Sequence, residues 1–162
     1  MTYYFKKWIE KIYLSIPGNL AIYDQLTGLY NFNWFEKFGK QKYQNKDIYI
    51  TMIDLDNFKA INDKKGHEYA NNLLKDIAIQ LDRVKEIDQD ADIMRYGGDE
   101  FIIFSNIDLE DRLRYENHKT ERLISWGIYH KNPDEGIHIA IDIADSIMYS
   151  FKNKYRNNCI GG

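Results

Sequence analysis

The sequence predicts an α+β domain centred on an antiparallel sheet, in the order β-α-β-β-α-β with a closing helix. Three observations lead there. The run Ile48-Tyr49-Ile50-Thr51-Met52-Ile53 is β-branched and apolar throughout, which suits a strand buried on both faces. Two short apolar stretches, Asp92 to Tyr96 and Glu100 to Phe104, are separated by Gly97-Gly98-Asp99, a hairpin signal. Between Gly66 and about Lys85, residues Tyr69, Leu73, Leu74, Ile77, Leu81 and Val84 recur at three and four, the period of a helix laid against a sheet. The order places the helices on one side of the sheet.

The other elements follow from the same patterns. Residues 2–15 put Tyr4 or Phe5, Trp8, Ile9 and Ile12 on one helical face and Lys6, Lys7, Glu10 and Lys11 on the other. Pro17-Gly18 stops that helix. This divides the chain into a short N-terminal amphipathic helix and linker, 1–20, and a compact domain, 21–162. The helix either packs on its own domain, the favoured reading, or pairs two subunits. Tyr23 to Tyr30 reads as a turn, and Asn31 to Gln41 as a helix carrying Trp34, Phe35 and Phe38. A polar helix spans about Leu109 to Lys119, and a strand Leu123 to Tyr129. The last helix runs from about Ile139 to Lys154, with Ile143, Ile147, Met148 and Phe151 inward.

Composition narrows the function. With 162 residues, 44% hydrophobic and 29% charged, the chain reads as one folded domain rather than a disordered segment. A net charge of -3 supplies no global basic field for nucleic acid or an anionic membrane. Phosphate chemistry must therefore be local. The one cysteine, Cys159, excludes an internal disulfide framework and fits a reducing compartment. No apolar run approaches the ~20 residues of a membrane helix, and no signal peptide is recognised. The expectation is a soluble cytoplasmic protein. His67 suits a turn, while His118, His130 and His138 show no ligand spacing.

Two segments carry chemistry. Asp54-Leu55-Asp56-Asn57-Phe58-Lys59-Ala60-Ile61-Asn62-Asp63 begins where the long buried strand ends, where ligands often bind. A carboxylate beside the backbone N–H groups of the next turn can hold Mg²⁺ and a triphosphate together. Taken alone, Asp54 or Asp56 is better read as a helix cap. In Arg95-Tyr96-Gly97-Gly98-Asp99-Glu100-Phe101, two glycines allow positive φ and leave the apex bare. Asp99 and Glu100 are adjacent on a strand, so they point to opposite faces and do different jobs. Lys152 and Arg156 share one helical face and suit the charge of a nucleotide's phosphates, although such a pair alone is more often a solvated helix end.

Together these elements resemble the GGDEF family of bacterial diguanylate cyclases, from Asp24 to about Arg156. Five blocks stand in the family's order: Asp24-Gln25-Leu26-Thr27-Gly28-Leu29-Tyr30-Asn31, then Asp54 to Asp63 with Gly66-His67, then Gly97 to Phe101, then Ile124-Ser125-Trp126-Gly127, and finally Ala144-Asp145 through Lys152 and Arg156. The resemblance implies a polymerase-palm-like fold and the condensation of two GTP into cyclic di-GMP across a homodimer. It implies two Mg²⁺ or Mn²⁺ ions held by Asp54 and Asp99, with the Leu55 carbonyl assisting. Glu100 would help the 3′-hydroxyl attack or complete the metal site. Asn57, Phe58 and Lys59 match the turn that cradles phosphates beside the bare Gly97-Gly98 apex, Lys152 and Arg156 the terminal-phosphate contacts, and Asn62 a base-reading position.

Four departures qualify the match. Ala70-Asn71 stands where the family has Gly-Asp, the Asp reading guanine. An amide offers donors as well as an acceptor and can pair with adenine, so an adenine-containing or mixed product, with ATP as substrate, is the alternative. Asp88-Gln89-Asp90-Ala91 occupies the place of an Arg-x-x-Asp product-inhibition site and lacks its arginine. The stretch from Phe101 to Ser125 is short, and a final edge strand is expected to be truncated or missing. With no sensor recognised, a separate regulatory partner, or a non-catalytic GTP-sensing role, is the further expectation.

Overall fold

The computed structural model describes residues 22–119 and 123–160, with Lys119 and residues 154–160 as backbone only. The helix expected over 2–15 and the side chain of Arg156 lie outside the described residues.

Four strands form one antiparallel sheet: β1 (Ile48–Leu55), β2 (Asp92–Arg95), β3 (Glu100–Ser105) and β4 (Ile124–Lys131), in the spatial order β2-β3-β1-β4. Helix α1 covers residues 32–43, as α-helix over Phe32–Trp34, π-helix over Phe35–Gly39 and α-helix over Lys40–Tyr43. After β1 come α2 (Phe58–Lys65) and α3 (His67–Asp82), then a 3₁₀ turn at Arg83–Glu86. Helix α4 is Glu110–Lys119, and α5 is Ile137–Ile160.

The helices lie on both faces of the sheet, not on one side. Ile53, Leu55, Phe101, Ile103, Ile124 and Trp126 pack with Leu74, Ile77 and Leu81 of α3 and Leu113 of α4. Ile48, Ile50, Met52, Ile102 and Phe104 pack with Trp34 and Phe35 of α1 and Ala140, Ile141, Ala144 and Met148 of α5. The reason was already in β1: successive strand residues point to opposite faces, so an unbroken apolar run needs cover on both.

Much of the aromatic content serves the α1 side. Phe104 is stacked by Phe35 at 5.7 Å and Tyr43 at 4.7 Å between ring centroids. The Tyr43 hydroxyl donates to buried Asp92 at 2.6 Å. Phe38 and Tyr69, placed on apolar stripes by period alone, are 38% and 46% exposed. Likewise Ile147 faces outward, and the inward stripe of α5 runs through Ala140, Ile141, Ala144 and Met148. Small residues occupy that stripe because the helix lies very close to the sheet.

The close approach is at Gly127. A Cβ there would sit 2.3 Å from both the Ala144 carbonyl oxygen and the Met148 nitrogen, which are backbone atoms that cannot swing aside. Below it, the buried Lys131 ammonium donates to the carbonyls of Gln44, Lys46 and Asn132 at 2.8, 3.1 and 2.9 Å. This fastens the end of α1 to β4 with every donor used.

Gly127→Ala is therefore expected to cost about 3 kcal/mol or more of stability in urea denaturation, by overpacking against backbone. Gly98→Ala, where an added Cβ meets nothing within 4 Å, serves as the neutral control. Equal stability of the two variants would refute the close approach.

Candidate active site

The site is built at one end of the central strand pair. In the β1–β3 register Asp54 faces Glu100, and in the β1–β4 register it faces Ser125. Asp54 and Glu100 continue the even-numbered side of their strands, the side of Met52 and Ile102 that packs under α5. One turn beyond Met148, Lys152 reaches down from α5, and its ammonium pairs with the Asp54 carboxylate. Both side chains are largely buried. This pairing joins the first sequence segment to the last helix.

The hairpin that carries Asp99 and Glu100 is held from below. Arg95 donates to the Gly98 carbonyl, at 2.6 Å from Nη2, and its Nη1 bonds Asp24 at 3.0 and 3.2 Å. Asp24 also accepts from the Thr27 amide at 2.9 Å and hydroxyl at 2.7 Å. Thus the opening turn, β2 and the hairpin apex form one unit. Burial pushes the Asp24 carboxyl up, but the hydrogen bonds from Thr27 and Arg95 outweigh it and hold the group below the usual aspartate range.

The glycines of the apex work differently from expectation. Neither Gly97 nor Gly98 takes a positive φ; among the described glycines only Gly28 and Gly66 do. Gly97 leaves room for a neighbour, because a Cβ on it would lie 2.7 Å from Glu100 Oε2, and the flexible Glu100 side chain would have to swing away. The Glu100 carboxylate is folded back over that bare position. The positive φ falls at Gly66 (+86°), the bend between α2 and α3, and at Asn57 (+57°).

The electrostatics are those of crowded acids. Burial first, and then the charge of Asp54, raise the Asp99 carboxyl above its ordinary value. Glu100 is raised by burial, then by Asp54 and Asp99. Asp99 and Glu100 therefore both feel Asp54, although Asp99 lies in the bend before β3 and Glu100 opens the strand. Among the described residues no three His, Cys, Asp or Glu side chains are drawn together as a ready ligand set. The donors nonetheless fit a hard divalent cation: they are carboxylate oxygens whose mutual repulsion a cation relieves, and an ammonium already sits on one of them.

The remaining predicted residues take these places. The N-cap of α2 falls on Asn57, with no side-chain capping bond, and on neither of the aspartates for which capping was the plainer reading. Asp56 instead accepts from Ser125. Phe58 is packed against the core and Lys59 is exposed. Asn62 Oδ1 is buried without a partner, and Asn71 is exposed in the first turns of α3. Asp88, at the degenerate inhibition position, is buried and grips Asn106 at 2.6 Å through its amide. Sequence reading missed the Asp54–Lys152, Asp56–Ser125 and Arg95–Asp24 pairs. Each joins residues far apart in the chain, and only the packing of the helix, the strands and the opening turn brings them together.

Comparisons with known proteins place the chain in a family. A family model described as "Diguanylate cyclase, GGDEF domain" matches residues 21–158. The chain belongs to the GGDEF family. The diguanylate cyclase DgcZ of Escherichia coli is 29% identical over 170 residues, covering 93% of this chain and 56% of that protein. The cyclic di-GMP phosphodiesterase NbdA of Pseudomonas aeruginosa is 36% identical over 94 residues, covering 54% of this chain and 12% of NbdA. The chain thus spans only part of the length of these relatives. The GGDEF domain of DgcB from Caulobacter crescentus, in complex with c-di-GMP, superposes with a TM-score of 0.72 at 21% identity, covering 86% of this chain and 92% of that one, and shows the shared fold. Among the described residues no helix is long and apolar enough to cross a membrane.

Because the Asp24 carboxyl is held low, its contribution to stability is present above the ordinary aspartate value of 3.8 and is lost as pH falls through the folded-state value. Asp24→Asn should lower the melting temperature at neutral pH, and the gap to wild type should close in acid. A gap of the same size at both pH values would contradict the Thr27–Arg95 account.

Proposed function

We propose that this GGDEF domain is a nucleotidyltransferase that condenses two nucleoside triphosphates, by default two GTP, into a cyclic dinucleotide with release of two pyrophosphates. What supports the reading most is the convergence of Asp54, Glu100 and Lys152, from β1, β3 and α5, at one end of the sheet.

In this reading Asp54, Asp99, Glu100 and the Leu55 carbonyl would hold two Mg²⁺ or Mn²⁺ ions, which would supply positive charge to stabilise an in-line phosphoryl displacement. The chain's own groups do the rest. Glu100, held above the usual carboxylate range, is suited to take the proton of the attacking 3′-hydroxyl. The turn Asn57-Phe58-Lys59 and the apex at Gly97-Gly98, open at Gly98 where an added Cβ would meet nothing within 4 Å, leave room for the triphosphate. Lys152 and Arg156 neutralise the departing pyrophosphate. In the free protein Lys152 is kept on Asp54 and is exchanged onto phosphate when nucleotide arrives. Each subunit holds one nucleotide, so ring closure takes two copies face to face in a homodimer.

Base selection falls to Asn62 and Asn71. The buried, unpartnered Asn62 Oδ1 awaits a donor, and the exocyclic amino groups of guanine and adenine both provide one. The amide of Asn71 favours a second reading, with an adenine-containing product.

The test is incubation of purified protein with Mg²⁺ or Mn²⁺ and GTP, ATP or both, with products identified by mass spectrometry. Cyclic di-GMP from GTP is the expected product. Asp99→Ala should reduce it to background with the fold intact, and Lys152→Met should slow it by about a hundredfold. Asn71→Asp should shift relative turnover toward GTP. An adenine-containing dinucleotide would make the amide the selector. Nucleotide binding with no product under any condition would replace catalysis by a sensing role for the domain.

A further inference from the structure

The turn after β1 is sewn to its neighbours on both sides. The Leu55 amide donates to the Asp99 carbonyl at 3.2 Å, on the hairpin side. The Asp56 amide donates to the Leu123 carbonyl at 2.8 Å, on the β4 side. A side-chain link adds to the second seam. Ser125 Oγ lies 2.8 Å from Oδ1 and 3.0 Å from Oδ2 of Asp56, so one hydroxyl is shared by both oxygens of one carboxylate.

Ser125 is 3% exposed and stands among Ile124, Trp126 and Gly127 in a buried strand. A buried hydroxyl needs a partner, and an alanine would fill the same space without needing one. The strand therefore carries a hydroxyl at this position for the sake of Asp56. Its register is fixed, because Ser125 is the β4 residue opposite Asp54. Asp56 leads into Asn57 at φ 57°, ψ 24°, a left-handed conformation that asparagine tolerates better than most residues and that held flanks keep in place. Asn57 opens α2, whose first intrahelical bond runs from the Ile61 amide to the Asn57 carbonyl at 3.0 Å. The amides of Phe58, Lys59 and Ala60 precede that bond and have no intrahelical acceptor.

We infer that Ser125 is a positioning residue for nucleotide binding: through Asp56 it holds Asn57 left-handed, and so aims the first amides of α2 toward the triphosphate. The inference rests on the proposed reading of this turn as the phosphate cradle. Ser125 touches no substrate in this account. Its contribution is to affinity and to the order of the turn, more than to the chemical step.

The test compares Ser125→Ala, Ser125→Thr and Asp56→Asn with wild type in two measurements. The first is amide hydrogen exchange of residues 57–60 in nucleotide-free protein. The second is the split of KM from kcat for GTP in the presence of Mg²⁺. Ser125→Ala should speed exchange at these amides and raise KM about tenfold, the scale of one lost hydrogen bond to a charged group, with a smaller change in kcat. Ser125→Thr should restore both, and Asp56→Asn should fall between. Wild-type exchange and wild-type KM in Ser125→Ala would overturn the inference, as would exchange accelerated across the whole sheet, which marks general destabilisation. If wild type forms no product, the nucleotidyltransferase reading fails by itself. The exchange at 57–60, with GTP binding by calorimetry in place of KM, then still decides the role of Ser125.

Discussion

How closely α5 lies on the sheet sets the rest of the site. A helix resting on ordinary side chains stands well off the strands beneath it. Here β4 offers no side chain at Gly127, and the backbone of Ala144 and Met148 comes down into the gap. Lys152 is one turn further along the same helix, so its ammonium reaches Asp54 at the end of β1. With a larger residue at 127, the lysine and the carboxylate would lie on separate layers. The small stripe Ala140, Ala144 and the missing side chain at 127 are one device, shared between helix and strand.

That placement answers an electrostatic problem. Three carboxylates gathered at one end of a sheet repel one another, and burial sharpens the repulsion by removing water. The raised carboxyls of Asp99 and Glu100 express that stress. A cation relieves it, and in the free protein Lys152 contributes the positive charge. In the proposed reading the same stress would make the site receptive to a divalent ion and a polyphosphate. Stability is sacrificed locally and recovered in the two cores on either side of the sheet, where Phe104, Ile53 and Phe101 are fully buried.

Much of this was legible in the sequence, and the exceptions have physical causes. Strand order, hairpin and helix order follow from period and turn chemistry, because both are local. The side on which the helices lie was misjudged: the unbroken run in β1 already required two covered faces, but the order of elements alone is silent on this. The outward turn of Ile147 escaped because periodicity finds a stripe without fixing its phase by a residue. For the site, Asp54, Asp99, Glu100 and Lys152 were named from spacing and family pattern. Ser125, Asp24 and Arg95, which hold the segments around them, took roles only in the fold, since tertiary packing decides which distant residues meet. Of the two properties expected of the apex glycines, positive φ is not used, whereas the missing side chain at Gly97 leaves space for the Glu100 carboxylate.

In the proposed reading Lys152 occupies, in the free protein, the charge position that a metal and a polyphosphate would take over. The most direct measurement is Mn²⁺ affinity without nucleotide, by calorimetry or electron paramagnetic resonance, for wild type and Lys152→Met. If the ammonium competes with the metal for Asp54, removing it should tighten Mn²⁺ binding several-fold, on the order of the ~1 kcal/mol of a partly buried ion pair, while GTP binding weakens. Unchanged or weaker Mn²⁺ binding in the variant would contradict the account, because Lys152 and the metal would then not share Asp54.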